Sequence, residues 1–74
     1  IPLFLVKESN GVNLFDSVLD VAYDCIHNKL TFDEITKIAE ERIDMSSLDS
    51  YDQGICVDFI YNLYNTIYVL HVQY

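Results

Sequence analysis

Two adjoining stretches decide the predicted fold: residues 50–65, SYDQGICVDFIYNLYN, and residues 66–74, TIYVLHVQY. In the first stretch, Ser50 and Gln53 have the spacing of a capping box, and apolar residues then recur at helical intervals. The second stretch is rich in β-branched and aromatic residues, which favour a strand. We therefore predict a helix over about 51–65 that is followed by a strand over 66–74.

The residues before this pair predict one more strand and two more helices. They are a strand over 1–7, a first helix over about 14–28 and a second helix over about 31–43. Asn13 is a favourable N-cap for the first helix, and Thr31 and Glu34 have the spacing of a capping box for the second. The terminal strands pair most economically as an antiparallel ribbon, which must lie against the helices because it is weak alone. The predicted fold is α+β: a winged-helix-like three-helix domain with a two-stranded antiparallel sheet.

Length and composition predict a single acidic globular domain over residues 1–74. Acidic residues number 12 against 4 Lys and Arg, which gives a formal net charge of −8. Hydrophobic residues make up 51% of the chain, too many for a disordered acidic tail. Because lipid surfaces and nucleic acid backbones are also negatively charged, we expect no membrane association and no direct binding of nucleic acid.

The two cysteines, Cys25 and Cys56, predict a reducing compartment. A secreted domain of this size that depends on disulfides carries roughly four or more cysteines. Both residues lie within amphipathic patterns, so we expect buried free thiols. No stretch reaches about 18 consecutive apolar residues, so no membrane span is predicted. We therefore expect a cytoplasmic protein.

Two groups of carboxylates lie where helix stability does not require them. Members of the first group recur every four residues, roughly 6 Å apart along one helix face, where like charges are destabilising. Members of the second lie near the end of a helix, where the helix dipole disfavours negative charge. The residues are Asp16, Asp20 and Asp24 in the first group and Glu40, Glu41 and Asp44 in the second. We predict that they form an acidic partner-binding surface; an ordinary solvated face is the alternative.

A second apolar face is predicted on the third helix. Its core stripe consists of Ile55, Phe59, Ile60 and Leu63. Apolar residues outside this stripe are Val57, Tyr61, Tyr64 and, on the strand, Tyr68. Tyrosine is favoured at interfaces because its ring is large, stiff and half polar. We predict a dimer or partner interface at these four residues, and an exposed edge on the final strand favours a homodimer. The alternative is that the tyrosine rings cover a thin core.

No set of residues predicts a metal site, a cofactor or an enzyme. His27 and His71 have no further ligands at metal-binding spacing, and Cys25 faces a different side of the helix from His27. With 2 glycines the chain has no Gly-rich phosphate loop, and no Ser-His-Asp set can be recognised. We therefore expect a protein without metal or cofactor that is not an enzyme.

Three blocks of sequence resemble a HARE-type winged helix-turn-helix domain, as found at the N-terminus of the RNA polymerase delta subunit of Gram-positive bacteria. The blocks are residues 18–24, VLDVAYD, residues 29–35, KLTFDEI, and residues 59–64, FIYNLY. The resemblance implies a winged helix and a partner in transcription. This chain departs from the pattern because its third helix has no Lys or Arg, although phosphate contacts supply much of the affinity of a DNA-binding helix.

In size, acidity and its content of Ile, Asn, Tyr and Asp, the chain is also similar to host-takeover proteins of phages that infect low-GC Gram-positive bacteria. One such protein is a staphylococcal-phage inhibitor of the DNA sliding clamp. The resemblance implies a DNA mimic that blocks the basic surface of a nucleic-acid-handling protein in the bacterial cytoplasm. We expect the sliding clamp as the first partner and RNA polymerase as the second. A delta-type accessory domain of RNA polymerase and a plain homodimerisation module are the alternative functions.

Overall fold

The computed structural model describes residues 1–8, 11 and 13–73, and these residues form four helices and no strand. The helices are α1 (Leu3–Val6), α2 (Leu14–Asp24), α3 (Phe32–Arg42) and α4 (Ser50–Gln73). The predicted α+β fold class is therefore wrong, because the winged-helix-like arrangement required a two-stranded sheet. The three predicted helices exist as α2, α3 and α4, with changed ends.

The largest correction concerns the strand predicted over residues 66–74, because residues 66–73 continue α4 instead. No glycine or proline interrupts this part of the helix, so each added residue extends it by one backbone hydrogen bond. Ile67 and Tyr68 pack against the core at the interval that a helix provides. The Thr66 hydroxyl donates to the carbonyl four residues earlier, at 3.0 Å. Packing on one helical face thus outweighs the β propensity of the segment. Tyr74 lies outside the described residues.

The predicted strand over residues 1–7 is also wrong, because α1 is a single helical turn. Pro2 precedes this turn, and its φ of −58° and missing N–H suit the start of a helix. Its carbonyl accepts a hydrogen bond from the Leu5 N–H, at 3.1 Å. Leu5 is fully buried, whereas Leu3 is 83% exposed. Leu5 and its neighbour Phe4, which is half-buried against the core, therefore anchor the segment, in place of the alternating face of a strand.

Side chains cap the starts of α2 and α3 as predicted. Asn13 Oδ1 accepts a hydrogen bond from the Asp16 N–H, at 3.0 Å. Thr31 and Glu34 form the complete capping box. The Glu34 N–H donates to the Thr31 hydroxyl at 3.3 Å, and the Glu34 carboxylate accepts from the Thr31 N–H at 3.0 Å. These hydrogen bonds satisfy backbone donors that would otherwise be unpaired at the helix ends.

The start of α4 is capped by Asp49, so the predicted Ser50–Gln53 capping box is wrong by one residue. Asp49 Oδ1 accepts a hydrogen bond from the Asp52 N–H, at 2.8 Å. The Gln53 side chain instead donates to two carbonyls of the preceding loop, including that of Leu48 at 3.0 Å. The first turn of α4 is therefore hydrogen-bonded both to its cap and to the loop that precedes it.

The four helices share one core. α4 packs on both α2 and α3, and α1 packs on α2. Because α4 has a neighbour on each of two sides, its buried residues cover a wide face. They are Cys56, Val57, Ile60 and Tyr64. The predicted core stripe was partly misplaced, since only Ile60 of its four members is buried and the other three are half-buried. Val57 and Tyr64, two members of the second predicted apolar face, thus pack within the same chain.

Candidate partner-binding surface

The acidic residues lie almost entirely on the surface. Of the 12 Asp and Glu side chains, all but that of Asp52 are exposed. The described residues contain one ion pair, between Arg42 and Asp24. The four cationic side chains are also exposed, and α4 carries no Lys or Arg along its length. Most of the negative charge therefore faces solvent without a basic partner from this chain.

The first predicted group lies exposed on α2, one helical turn apart, as expected. Asp24 pairs with Arg42 of α3, with 2.7 Å between Nη1 and Oδ2. Asp16 lies in the first turn, where the positive end of the helix dipole favours a carboxylate. Asp16 and Asp24 therefore each have a local structural role. Asp20 has no hydrogen bond or ion pair with the described residues.

The second predicted group lines one groove where α3 ends. Glu40, Glu41 and Asp44 share this groove with Arg42. Asp44 Oδ1 accepts a hydrogen bond from the Ser46 N–H, at 3.0 Å. Hydrogen bonding by the Ser46 side chain and backbone lowers the pKa of Asp44 below its ordinary value. Glu40 and Glu41 are exposed and have no ion pair among the described residues.

Asp20, Glu40 and Glu41 are the members of the predicted surface that lack a structural partner among the described residues, and they are called the surplus acids below. Elsewhere, helix starts account for the positions of Asp33, Glu34, Asp49 and Asp52, and Asp58 accepts a hydrogen bond from Asn62. Carboxylates without a structural role increase the repulsion within the chain, which disfavours the compact state. Helix capping and ion pairing therefore do not explain the positions of the surplus acids, and their role in binding a partner remains a prediction.

The structure divides the four residues of the predicted apolar interface into two pairs. Val57 and Tyr64 are 7% and 2% exposed, so they belong to the core of the chain. Tyr61 and Tyr68 are half-buried at the surface of α4. The Tyr61 ring lies edge-on to that of Phe32, with 5.2 Å between ring centroids. An interface through this face would therefore be formed by Phe32, Tyr61 and Tyr68, and the homodimer remains a prediction.

Tyr64 has a structural role that its spacing alone did not indicate. Its hydroxyl donates to the Asn28 carbonyl and accepts from the Leu30 N–H, both at 2.7 Å. These two bonds join α4 to the segment between α2 and α3. The sequence around Tyr64 does not indicate these hydrogen bonds, because the two backbone groups that the hydroxyl contacts lie more than thirty positions away.

Both cysteines are buried free thiols, as predicted. Burial raises the pKa of the Cys25 and Cys56 thiols above the ordinary value. Protonated thiols are poor nucleophiles, so neither cysteine has the environment of a reactive one.

No group of three or more His, Cys, Asp or Glu side chains in the described part of the chain is arranged to hold a metal ion. His27 and His71, which have no further ligands at metal-binding spacing in the sequence, have ring centroids only 5.9 Å apart. The contact could not be predicted while residues 66–74 were expected to form a strand. His71 lies beside the end of α2 because α4 continues to Gln73. Among the described helices, none is both long enough and apolar enough to cross a membrane.

Comparison with known proteins found no matching family model, no matching curated protein and no matching solved structure. The resemblance to HARE-type domains therefore remains a prediction.

Proposed function

We propose that this chain is a small acidic inhibitor that binds the basic surface of a DNA-handling protein and mimics DNA there. The observation that supports the proposal best is the set of surplus acids, Asp20, Glu40 and Glu41, which are exposed and have no structural partner among the described residues. Carboxylates at these positions are available to Lys and Arg side chains of a partner. Complementary charge of this kind increases the association rate and selects among partners.

The charge density of the chain limits how much of a DNA surface it can mimic. Its longest dimension is 36 Å and its formal net charge is −8. Duplex DNA carries one negative charge per ~1.7 Å of axis, or about 21 charges over the same length. The chain therefore replaces only part of the phosphates that a DNA-binding surface contacts. We expect its binding to depend on salt, but less steeply than the binding of DNA to the same surface.

The DNA sliding clamp of a low-GC Gram-positive bacterium is the first partner to test. The resemblance in size and acidity to phage host-takeover proteins supports this choice, and the proposed compartment is the cytoplasm of the bacterial host. Apolar contacts are also available beside the charges, because Phe32 is 41% exposed and Tyr61 lies against it. Aromatic anchors supply binding energy where charge supplies selectivity.

The test is a titration of the purified clamp with the chain and with two triple variants. The first variant, Asp20→Asn/Glu40→Gln/Glu41→Gln, neutralises the surplus acids. The second, Glu8→Gln/Asp33→Asn/Asp58→Asn, removes the same charge at other exposed positions as a matched control.

Loss of the surplus acids should weaken binding by about ten-fold or more, since even one charge-assisted contact contributes roughly 1.5–3 kcal/mol. The control should retain most of the affinity. Equal losses in both variants would show that net charge alone matters, and unchanged affinity in the first variant would refute the role of the surplus acids. If the chain captures RNA polymerase and not the clamp, the partner assignment is wrong, and the same two variants then test the surplus acids against RNA polymerase.

A further inference from the structure

The fold brings together two histidines that are far apart in the sequence. His27 follows the end of α2, and His71 lies in the last turns of α4. Their ring centroids are 5.9 Å apart and their planes are nearly perpendicular, at 89°. The rings are in edge-to-face contact, and both side chains are exposed to solvent ions. This pair is independent of the acidic surface proposed above.

We propose that His27 and His71 form a two-imidazole site for a divalent transition-metal ion of the Ni²⁺, Cu²⁺ and Zn²⁺ class. Imidazole is the commonest metal ligand in proteins and suits these ions. Each metal–nitrogen bond is about 2.0–2.1 Å long, which puts the centres of two rings on one ion roughly 4.5–6.3 Å apart, depending on the nitrogen–metal–nitrogen angle. The observed separation falls in this range. Rotation of the exposed rings about their side-chain bonds directs one nitrogen of each ring toward the ion.

The backbone around the pair is already fixed in the described structure. Tyr64 is two helical turns before His71 on α4 and is 2% exposed. Its hydroxyl holds the Asn28 carbonyl and the Leu30 N–H at 2.7 Å, immediately after His27. The two histidine backbones are therefore held near each other before a metal arrives. Less ordering is then required on binding, which increases affinity.

The chemistry of the site predicts which ions it selects. The chain contributes two nitrogen ligands, so the remaining coordination positions hold water or a ligand from another molecule. Cys25 is 5% exposed and belongs to the core, so it is not counted among the ligands. Mg²⁺ and Ca²⁺ prefer oxygen ligands and should ignore the imidazoles, although they are attracted by the many carboxylates. Dependence on the two histidines therefore separates the site from general attraction to an acidic surface.

Isothermal titration of the untagged full chain with NiCl₂ tests the proposal. The wild-type chain should bind one ion. His27→Ala and His71→Ala should each weaken binding by about ten-fold or more, because losing a ligand costs at least as much affinity as losing a residue that hydrogen-bonds to a ligand. The double variant measures the contribution of the carboxylates, and titration with MgCl₂ should be insensitive to all three changes. Unchanged Ni²⁺ affinity in the double variant would overturn the proposal.

Tyr64→Phe keeps both imidazoles and removes the hydroxyl that fixes the turn. We expect Ni²⁺ binding to weaken several-fold in this variant, while Tyr68→Phe binds as the wild-type chain does. Helical circular dichroism shows in each case that the variant is folded. If the folded Tyr64→Phe variant binds Ni²⁺ as tightly as wild type, the pair is not held in place by this hydroxyl and that part of the proposal is wrong.

Discussion

Replacing Tyr64 with phenylalanine removes one oxygen atom and both hydrogen bonds that join α4 to the turn after α2. The hydroxyl donates to the Asn28 carbonyl and accepts from the Leu30 N–H, each at 2.7 Å. The ring itself is retained, so its burial and its contact with the Tyr68 ring, at 5.8 Å between centroids, are retained too. The change in stability therefore reports the two hydrogen bonds rather than the loss of packing.

The expected loss is about 2 kcal/mol in the free energy of unfolding, from a net contribution of roughly 0.5–1.5 kcal/mol for each hydrogen bond. The backbone groups left behind are part-buried, which adds a desolvation cost when they lose their partner. In a domain of 74 residues, each 1 kcal/mol lowers the melting temperature by about 4–8 °C. Tyr64→Phe should therefore melt roughly 10 °C or more below the wild-type chain.

Urea unfolding followed by far-ultraviolet circular dichroism measures this loss. Tyr61→Phe and Tyr68→Phe are matched controls, because their hydroxyls make no hydrogen bond with a described residue and their loss should change stability by less than about 0.5 kcal/mol. The slope of free energy against urea should be the same in all three variants, since the surface exposed on unfolding is the same. A Tyr64→Phe variant as stable as the two controls would show that the turn is not held to α4 by this hydroxyl.

The remaining predictions concern two glycines and one helix cap. Gly54→Ala should stabilise the chain by about 0.5–1 kcal/mol, because an added Cβ would meet no atom within 4 Å in this helical position. Gly11→Ala should destabilise it, since Gly11 has a φ of +78°; urea unfolding checks both, and equal signs would contradict the backbone assignments. Hydrogen bonds from the Thr31 backbone and side chain lower the pKa of Glu34 in the folded chain. The stability that these bonds contribute is therefore fully present above the pKa of Glu in the unfolded chain, about 4.3, and is lost as the pH falls through the pKa of Glu34 in the folded chain. The stability difference between wild type and Glu34→Gln should therefore shrink between about pH 5 and pH 3; a constant difference would refute the assignment.

Local signals in the sequence predicted most of the secondary structure between residues 13 and 65. Capping depends on neighbouring residues, so the caps at Asn13 and Thr31 could be predicted without knowledge of the fold. The start of α4 was predicted one residue late because Ser50 and Asp49 are both good caps, and the choice depends on the loop that Gln53 joins to the helix.

The terminal segments could not be predicted from local preference because their structure depends on tertiary packing. Residues 66–73 have strand propensity, yet they form a helix from which Ile67 and Tyr68 pack against the core. The strand error affected His71, which lies beside His27 because α4 continues to Gln73. Val57 and Tyr64 were misassigned for another reason: α4 packs on both α2 and α3, so both residues lie in the core. Charge was easier to predict, since most carboxylates of a small acidic domain must face solvent.

Displacement of duplex DNA is the most direct test that the chain mimics DNA. A fluorescently labelled duplex is bound to the sliding clamp at about 50 mM salt, and its anisotropy is followed as the unlabelled chain is added. The account predicts that the wild-type chain releases the duplex, that the variant lacking the surplus acids Asp20, Glu40 and Glu41 requires about ten-fold more protein, and that the effect declines toward about 200 mM salt. If the chain binds the clamp while the duplex stays in place, or if the variant displaces DNA as well as wild type, the central claim is contradicted.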